Sequence, residues 1–305
     1  MAPDPGDPTA RLALAVDIGG TKLAVGLVDG AGDLRHHDQV PTPAHGDGDS
    51  MFRALDELIA TVRAVGHDRG WAEPTVCGVG TGGPMTLHGE TVSPVNIPAW
   101  RAFPLRARLL EATGLPVHID NDAKALALAE GWKGAAAGVP DYVGMVVSTG
   151  VGGGIVLDGR LLDGAQGNAG HIGHIVVDPD GSPCACGSHG CLEAEASGTG
   201  ILNRTGRPAQ DATAAEIERA GTMVGRAVAS VANLLDLRLA VVAGSVALGF
   251  GAPFFAAAQR EIDLRARLDF ARGAVIRPAG LGRESPLVGA AAVGWRGSGI
   301  DIGIR

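Results

Sequence analysis

The residues best suited to chemistry lie close together between positions 170 and 193. His174 is followed by Cys184-Ala-Cys186, four residues, and then Cys191-Leu-Glu193. Cys-x-Cys-x4-Cys with a nearby histidine is a soft donor set suited to tetrahedral Zn2+, although the spacing is not that of a zinc finger. Cys184 and Cys186 are too close in the chain to bridge comfortably, which argues against a disulfide between them. Gly181, Pro183, Gly187 and Gly190 make the stretch a knuckle of turns. It has too few apolar residues for a core of its own, so a metal would supply its rigidity. Four protein ligands would close the coordination shell, so the metal is expected to be structural and to hold His174 in one pose. The alternative is three reduced cysteines in a polar loop.

Two glycine turns offer a different chemistry. The apolar run Leu12 to Ile18 ends in Asp17-Ile-Gly19-Gly20-Thr21-Lys22, and a second apolar run follows at once. This is strand, glycine turn, strand. A dinucleotide fingerprint needs a helix after the glycines, and a P-loop needs Gly-x4-Gly-Lys-Ser/Thr. What remains is a hairpin whose backbone N–H groups and Thr21 hydroxyl could take a phosphate, with Asp17 beside it for Mg2+. The alternative is a tight hairpin with an ordinary aspartate. The pattern recurs where Tyr142 to Val147 leads into Ser148-Thr149-Gly150-Val-Gly152-Gly153-Gly154 and another apolar stretch. Two such hairpins, one from each of two lobes, would grip a polyphosphate from two sides. A third candidate is the run Asp120-Asn121-Asp122, where a short strand meets a helix; a carboxylate there is either an N-cap or a catalytic group. Thr81-Gly82-Gly83-Pro84 follows an apolar run, at a strand's carboxyl end where open α/β sheets bind ligands, whereas Asn96 lies in an irregular loop and could bond a ligand or simply cap the turn.

The elements that position these residues alternate strands with helices. Ser50 to Val65 has helical apolar spacing, with Ser50 as its expected N-cap. Helices are expected over 104–113, closed by Gly114, over 123–132, 214–237, 252–267 and 286–295, and strands over 35–41, 76–80, 116–120, 239–243 and 275–276. Residues 1–10 read as a disordered tail and 199–213 as polar and irregular. The small residues Gly289-Ala-Ala-Ala292 would admit either a flat base or a neighbouring helix.

A chain of 305 residues exceeds what one core usually organises, so two lobes are expected. With 46% hydrophobic and 19% charged residues it is globular rather than disordered. The net charge of -8, with no basic run, argues against nucleic acid as a partner. There is no apolar stretch long enough for a transmembrane helix, and the first residues carry no signal-peptide core. The cysteine usage then points to a reducing cytoplasm.

Taken together, the motifs Asp17-Ile-Gly-Gly-Thr-Lys22, Ile119-Asp-Asn121-Asp122, Ser148-Thr-Gly-Val-Gly-Gly-Gly154, Ala169-Gly-His-Ile-Gly-His174 and Cys184-x-Cys-Gly-x3-Cys191-Leu-Glu193 resemble the ROK sugar kinases. The resemblance runs from Asp17 to about Gly294. It implies an α/β, two-lobed actin-like ATPase (ribonuclease H-like) fold with a zinc-binding loop. The first lobe would hold residues 1–122 and 285–305, the second 123–284. It also implies ATP-dependent phosphorylation, usually on the 6-hydroxyl of a hexose or N-acylhexosamine. By motif, Asp122 is then the general base, while Gly83, Asn96 and Asn121 bind sugar hydroxyls. His174 would hold zinc and the sugar, with His171 and Glu193 beside it. Gly19, Gly20, Thr21 and Lys22 would cradle ATP phosphates opposite Thr149, Gly150 and Gly152, with Asp17 acting through Mg2+. Gly244 and Ser245 would lie near adenosine, and His174, Cys184, Cys186 and Cys191 would bind Zn2+. The partners implied are a small sugar and a second copy of the chain.

The departures bear on the substrate. The family motif is usually Glu-x-Gly-His, but position 171 is His. A histidine can donate or accept a hydrogen bond, and sites built for one hydroxyl pattern can reject another by on the order of 10^4-fold. His-Ile-Gly-His resembles the bacterial N-acetylmannosamine kinases, whereas Val95-Asn96-Ile-Pro-Ala-Trp100 resembles the actinobacterial glucokinases. N-acetylmannosamine is therefore the first expected substrate and glucose the second; drift at an exposed position is the alternative for His171. Lys124 stands where relatives often carry Asn, and residues 199–213 are shorter than the family's segment there. A non-catalytic sugar sensor is the rival class. A DNA-binding repressor is disfavoured, since few residues precede Asp17 and the chain is acidic.

Overall fold

The computed structural model describes residues 8–43 and 46–305. Residues 1–7 of the expected disordered tail lie outside the described residues, and Pro8–Ala10 forms a short 3-10 turn instead. The chain divides into two compact units, one of residues 1–132, 165–167 and 283–305, the other of 133–164 and 168–282.

The first unit is built on β1 (Leu12–Ile18), β2 (Lys22–Asp29), β3 (Leu34–Pro41), β4 (Val76–Thr81) and β5 (Val117–Asn121), in the order β3-β2-β1-β4-β5. β1 and β2 are antiparallel, with Ile18 opposite Leu23, whereas β4 lies parallel to β1 and β5 parallel to β4. Parallel neighbours need crossovers, which α1 (Gly48–Asp68), α2 (Leu105–Thr113) and the intervening loops supply. One face of α1 buries Met51, Phe52, Leu55, Leu58, Ile59 and Val62, each stabilising by about 1.5–3 kcal/mol. Its cap is Asp47 rather than Ser50: the Asp47 carboxylate accepts the Ser50 N–H at 2.8 Å, which starts the helix earlier. α3 (Asp122–Trp132) springs directly from β5.

The second unit has β6 (Tyr142–Val147), β7 (Val151–Leu157), β8 (Arg160–Leu161), β9 (Leu239–Ala243) and β10 (Val275–Pro278), in the order β10-β9-β6-β7-β8. Its helices are α4 (Leu192–Ala196), α5 (Gly198–Thr205), α6 (Ala214–Leu235), α7 (Ser245–Phe250) and α8 (Ala252–Arg265). The stretch 199–213 is therefore not irregular. α5 fills its first half, with Ser197 Oγ accepting the Gly200 N–H at 2.9 Å, and a 3-10 turn covers Ala209–Asp211. α6 opens on a capping box between Thr213 and Glu216.

The last helix, α9 (Ser285–Gly297), returns to the first unit. Its small residues serve packing against neighbouring backbone. A Cβ added at Gly78 would come within 1.9 Å of the Ala290 carbonyl oxygen, and one at Gly289 within 2.5 Å of the Ala125 carbonyl oxygen. Among the described residues, no helix is long and apolar enough to cross a membrane.

Candidate functional site

In the first unit the strand ends bring two carboxylates together. Asp17 pairs in register with Gly80 on the neighbouring parallel strand, and Gly80 pairs in turn with Asp120. Because Gly80 has no side chain, a gap remains: a Cβ there would lie 4.0 Å from Asp17 Oδ1 and 3.9 Å from the Asp122 Cα. Desolvation, then the charge of Asp122, raises the Asp17 carboxyl to about 7, with Lys22 pulling the other way. Asp122 is accessible to solvent yet recessed in protein. Desolvation raises its carboxyl too, opposed by the Ala123 N–H that Oδ1 accepts at 2.8 Å. A carboxylate so placed is reachable by a hydroxyl group, and a raised carboxyl is the stronger proton acceptor when ionised.

Around this pair, Asn121 Oδ1 also accepts the Ala123 N–H, at 3.0 Å, and so caps α3. Asn96 lies on the first glycine turn: a Cβ at Gly20 would come within 2.7 Å of its Nδ2, and one at Gly82 within 3.6 Å of its Oδ1. Gly83 faces Asn121, whose Nδ2 would be 3.9 Å from a Cβ there. Gly83, Asn96, Asn121 and Gly20 are thus neighbours. The turn itself closes through the Gly19 N–H to the Lys22 carbonyl at 3.0 Å, leaving Thr21 and Lys22 exposed. Two further residues belong here. Thr81 is fully buried at the end of β4, and its Oγ1 has no hydrogen-bond partner among the described residues. Lys124 is buried one turn into α3, with Nζ 3.0 Å from Asp120 Oδ1 and donating to the Gly167 carbonyl at 3.4 Å.

In the second unit, β6 and β7 form the second glycine hairpin. Val147 pairs with Val151, and the Ser148 N–H donates to the Gly150 carbonyl at 2.9 Å. Thr149 is exposed at its tip. Gly244, at the N-terminus of α7, precedes Ser245, whose Oγ lies 2.9 Å from Ser148 Oγ, so these residues sit beside the hairpin. Glu193 Oε2 accepts the Val151 N–H at 2.9 Å. His171 is exposed, with its ring 6.1 Å from that of His174 and nearly parallel to it.

The knuckle gathers its four candidate ligands. His174, Cys184, Cys186 and Cys191 place one donor atom each within 4.8 Å of all the others. Cys186 Sγ is 3.7 Å from Cys191 Sγ, and Cys184 Sγ is 3.7 Å from His174 Nδ1. A tetrahedron with Zn–S bonds of about 2.3 Å has edges of about 3.8 Å, so these two separations are compatible with the ion. Burial, together with the Cys186 and Cys184 sulfurs, pushes the Cys191 thiol up to about 12, a cost that a bound dication would reverse. The loop closes at Gly190, whose φ of +65° and position 1.5 Å from the Asp178 carbonyl (for an added Cβ) leave room for glycine alone. Behind it, Glu195 is wholly buried; it accepts the Ser182 N–H and an Arg219 guanidinium bond, and Arg219 also reaches Asp178 at 3.0 Å. The sequence offers no local signal for this brace, because Arg219 is remote along the chain.

Comparison with known proteins agrees with these motifs. The ROK family model matches residues 13–295. A glucokinase of Halalkalibacterium halodurans is 33% identical over 93% of this chain and 94% of its own length. An N-acetylmannosamine kinase of Citrobacter koseri is 38% identical over 78% of this chain and 84% of its own. The crystal structure of a ROK family glucokinase from Streptomyces griseus in complex with glucose and AMPPNP superposes with a TM-score of 0.77 at 29% identity, covering 93% of this chain and 99% of that one. With a family model that spans both units and relatives aligned over most of its length, the chain belongs to the ROK family.

Proposed function

We propose that the protein is an ATP-dependent sugar kinase that phosphorylates the 6-hydroxyl of a hexose or N-acylhexosamine, with N-acetylmannosamine as its first substrate. The observation that carries this reading is the recessed Asp122 carboxyl, raised by desolvation beside Asp17. Asp122 accepts the proton of the sugar hydroxyl as its oxygen attacks the γ-phosphorus, and the products are a sugar phosphate and ADP. Positioning and charge stabilisation contribute more than proton removal in such transfers. Asn121, Asn96 and Gly83 orient the sugar in this reading. His171, His174 and Glu193 complete its recognition. Gly19, Gly20, Thr21 and Lys22, with Thr149, Gly150 and Gly152, hold the phosphates, and Gly244 and Ser245 lie by the adenosine.

Asp17 suits Mg2+, since it offers a hard oxygen donor whose ionisation burial opposes and a cation would favour. Bound there, the ion would neutralise charge on the phosphates. His174, Cys184, Cys186 and Cys191 would hold a structural Zn2+. His171 in place of the usual glutamate supports the N-acylhexosamine. Glucose is the second reading, supported by the resemblance of the loop Val95-Asn96-Ile-Pro-Ala-Trp100 to actinobacterial glucokinases and by the near full-length likeness to a glucokinase.

The test is ADP release against a panel of sugars in zinc-replete protein, with Asp122→Asn alongside. The expected result is turnover on N-acetylmannosamine, reduced by on the order of 10^2–10^4-fold in the variant. If no sugar stimulates ADP release, the protein is a sugar sensor instead.

A further inference from the structure

Glu193 has a partner that sugar recognition does not explain. Its Oε2 accepts the Val151 N–H at 2.9 Å, and the same oxygen lies 2.7 Å from where a Gly150 Cβ would be. The carboxylate is thus seated against the turn of the β6–β7 hairpin. Two residues earlier is Cys191, a member of the His/Cys cluster. The segment after Glu193 continues the attachment. The Gly198 N–H donates to the Ser148 carbonyl at 2.7 Å, and the Thr199 N–H donates to the Thr149 carbonyl at 3.2 Å. Three of the four turn residues 148–151 therefore bond to the stretch 193–199.

The other end of the knuckle presses on the same hairpin. A Cβ at Gly173 would come within 2.3 Å of the Val151 carbonyl oxygen, so the turn carrying His174 lies directly on β7. Leu192 donates its N–H to the Ile175 carbonyl at 2.9 Å, and Val176 bridges to Cys191. Ile172, Leu192, Val147 and Val151 share one core cluster. The knuckle and the hairpin are thus one packed body, in which Glu193 is the charged link. A bond from an N–H to a carboxylate is about twice as strong as a neutral one.

We propose that Glu193 is a positioning residue for the phosphate-holding hairpin, and that through it the order of the His/Cys knuckle sets the protein's affinity for nucleotide. This rests on the reading of Thr149, Gly150 and Gly152 as phosphate-binding residues. Because the Val151 N–H is committed to Glu193, that donor is withheld from the nucleotide. With Gly152 paired to Val146 in the ladder, the donors left at the turn are those of the exposed Thr149 and of Gly150, and their aim depends on the seat beneath them.

The experiment pairs hydrogen exchange of the 145–155 peptide with calorimetric binding of a non-hydrolysable ATP analogue and, separately, of sugar. It uses zinc-replete wild type, Glu193→Gln and Glu193→Ala, and wild type stripped by a chelator. Glu193→Ala is expected to accelerate exchange at the turn and to weaken nucleotide binding about tenfold. Glu193→Gln keeps an acceptor oxygen, so exchange and nucleotide affinity stay within about threefold of wild type. Zinc removal should reproduce the alanine result with Glu193 intact, and it carries the comparison should Glu193→Ala fail to fold. Unchanged exchange in both Glu193→Ala and stripped protein overturns the coupling and leaves the hairpin's assignment standing. Faster exchange with unchanged nucleotide affinity overturns the assignment of Thr149, Gly150 and Gly152, and the proposal with it.

Discussion

Asp17 and Asp122 share one recess. Desolvation and the Asp122 charge together bring the Asp17 carboxyl to about 7, while Asp122 itself is raised by desolvation. Two acids held this way resist ionising together, and the fold keeps them there at a cost to its own stability.

That cost has a sign that can be measured in protein free of nucleotide and metal. Asp17 titrates near 3.8 when unfolded and near 7 when folded, so between these pH values the native state binds more protons. Its contribution to stability is then largest below about pH 4 and is lost as pH rises to about 7. His118, lowered by desolvation and Arg106, works in the opposite direction near pH 6.5. The difference between wild type and Asp17→Asn isolates the aspartate. The variant should gain on the order of 2 kcal/mol over wild type between pH 4.5 and 7.5, a figure discounted for partial solvent access. Denaturant titrations at several pH values measure this, and parallel pH profiles would contradict it.

His171→Glu tests the reader of the sugar. Its side chain is exposed beside His174 and makes no hydrogen bond among the described residues, so stability should hold within about 0.5 kcal/mol. Glutamate accepts where histidine can donate, and preference should move toward glucose by about tenfold or more in kcat/KM. An unchanged sugar profile would show that position 171 does not read the substrate.

Arg219 braces the knuckle from behind. Burial alone would raise the Glu195 carboxyl, but the Ser182 N–H and Arg219 outweigh it and hold it below the usual range. Arg219→Met leaves that carboxylate buried with its cation gone, at a cost on the order of 3 kcal/mol. Ser182 is two residues before Cys184, so zinc should also exchange faster to a chelator. Pairing Arg219→Met with Glu195→Gln should restore much of the stability. A single variant as stable as wild type would show that the brace is idle.

The candidate residues are legible in the sequence because each motif is local: a glycine turn, a strand-to-helix junction, a cysteine knuckle. The errors fell where local signals compete. Asp47, Asp49 and Ser50 can each cap a helix, and only the bond from the Ser50 N–H to Asp47 decides between them. α5 buries little beyond Gly200 and Ile201, so it has no apolar period to read. The Glu193–Val151 bond and the Glu195–Arg219 pair join residues that are distant in the chain, and neither leaves a mark on the residues between. Gly289-Ala-Ala-Ala292 fits a base and a helix equally well on composition; the approach of Ala290 to Gly78 settles its use as packing.

Lys124, conspicuous in the sequence but without a reading there, supports the last prediction. Its Nζ lies 3.0 Å from Asp120 Oδ1, the same oxygen that accepts the Asn121 N–H at 2.8 Å. The cation therefore fixes the carboxylate that fixes the backbone just before Asp122. It also donates to Gly167, in the short segment Ala165–Gly167 that belongs to the first unit. Lys124→Met keeps the buried stem and removes the charge, at about 2 kcal/mol of stability. Because the loss acts through the aim of Asp122, kcat should fall about tenfold while the KM for sugar changes by less than about threefold. A loss confined to KM would place Lys124 in sugar binding, and kinetics equal to wild type would leave it a purely structural cation.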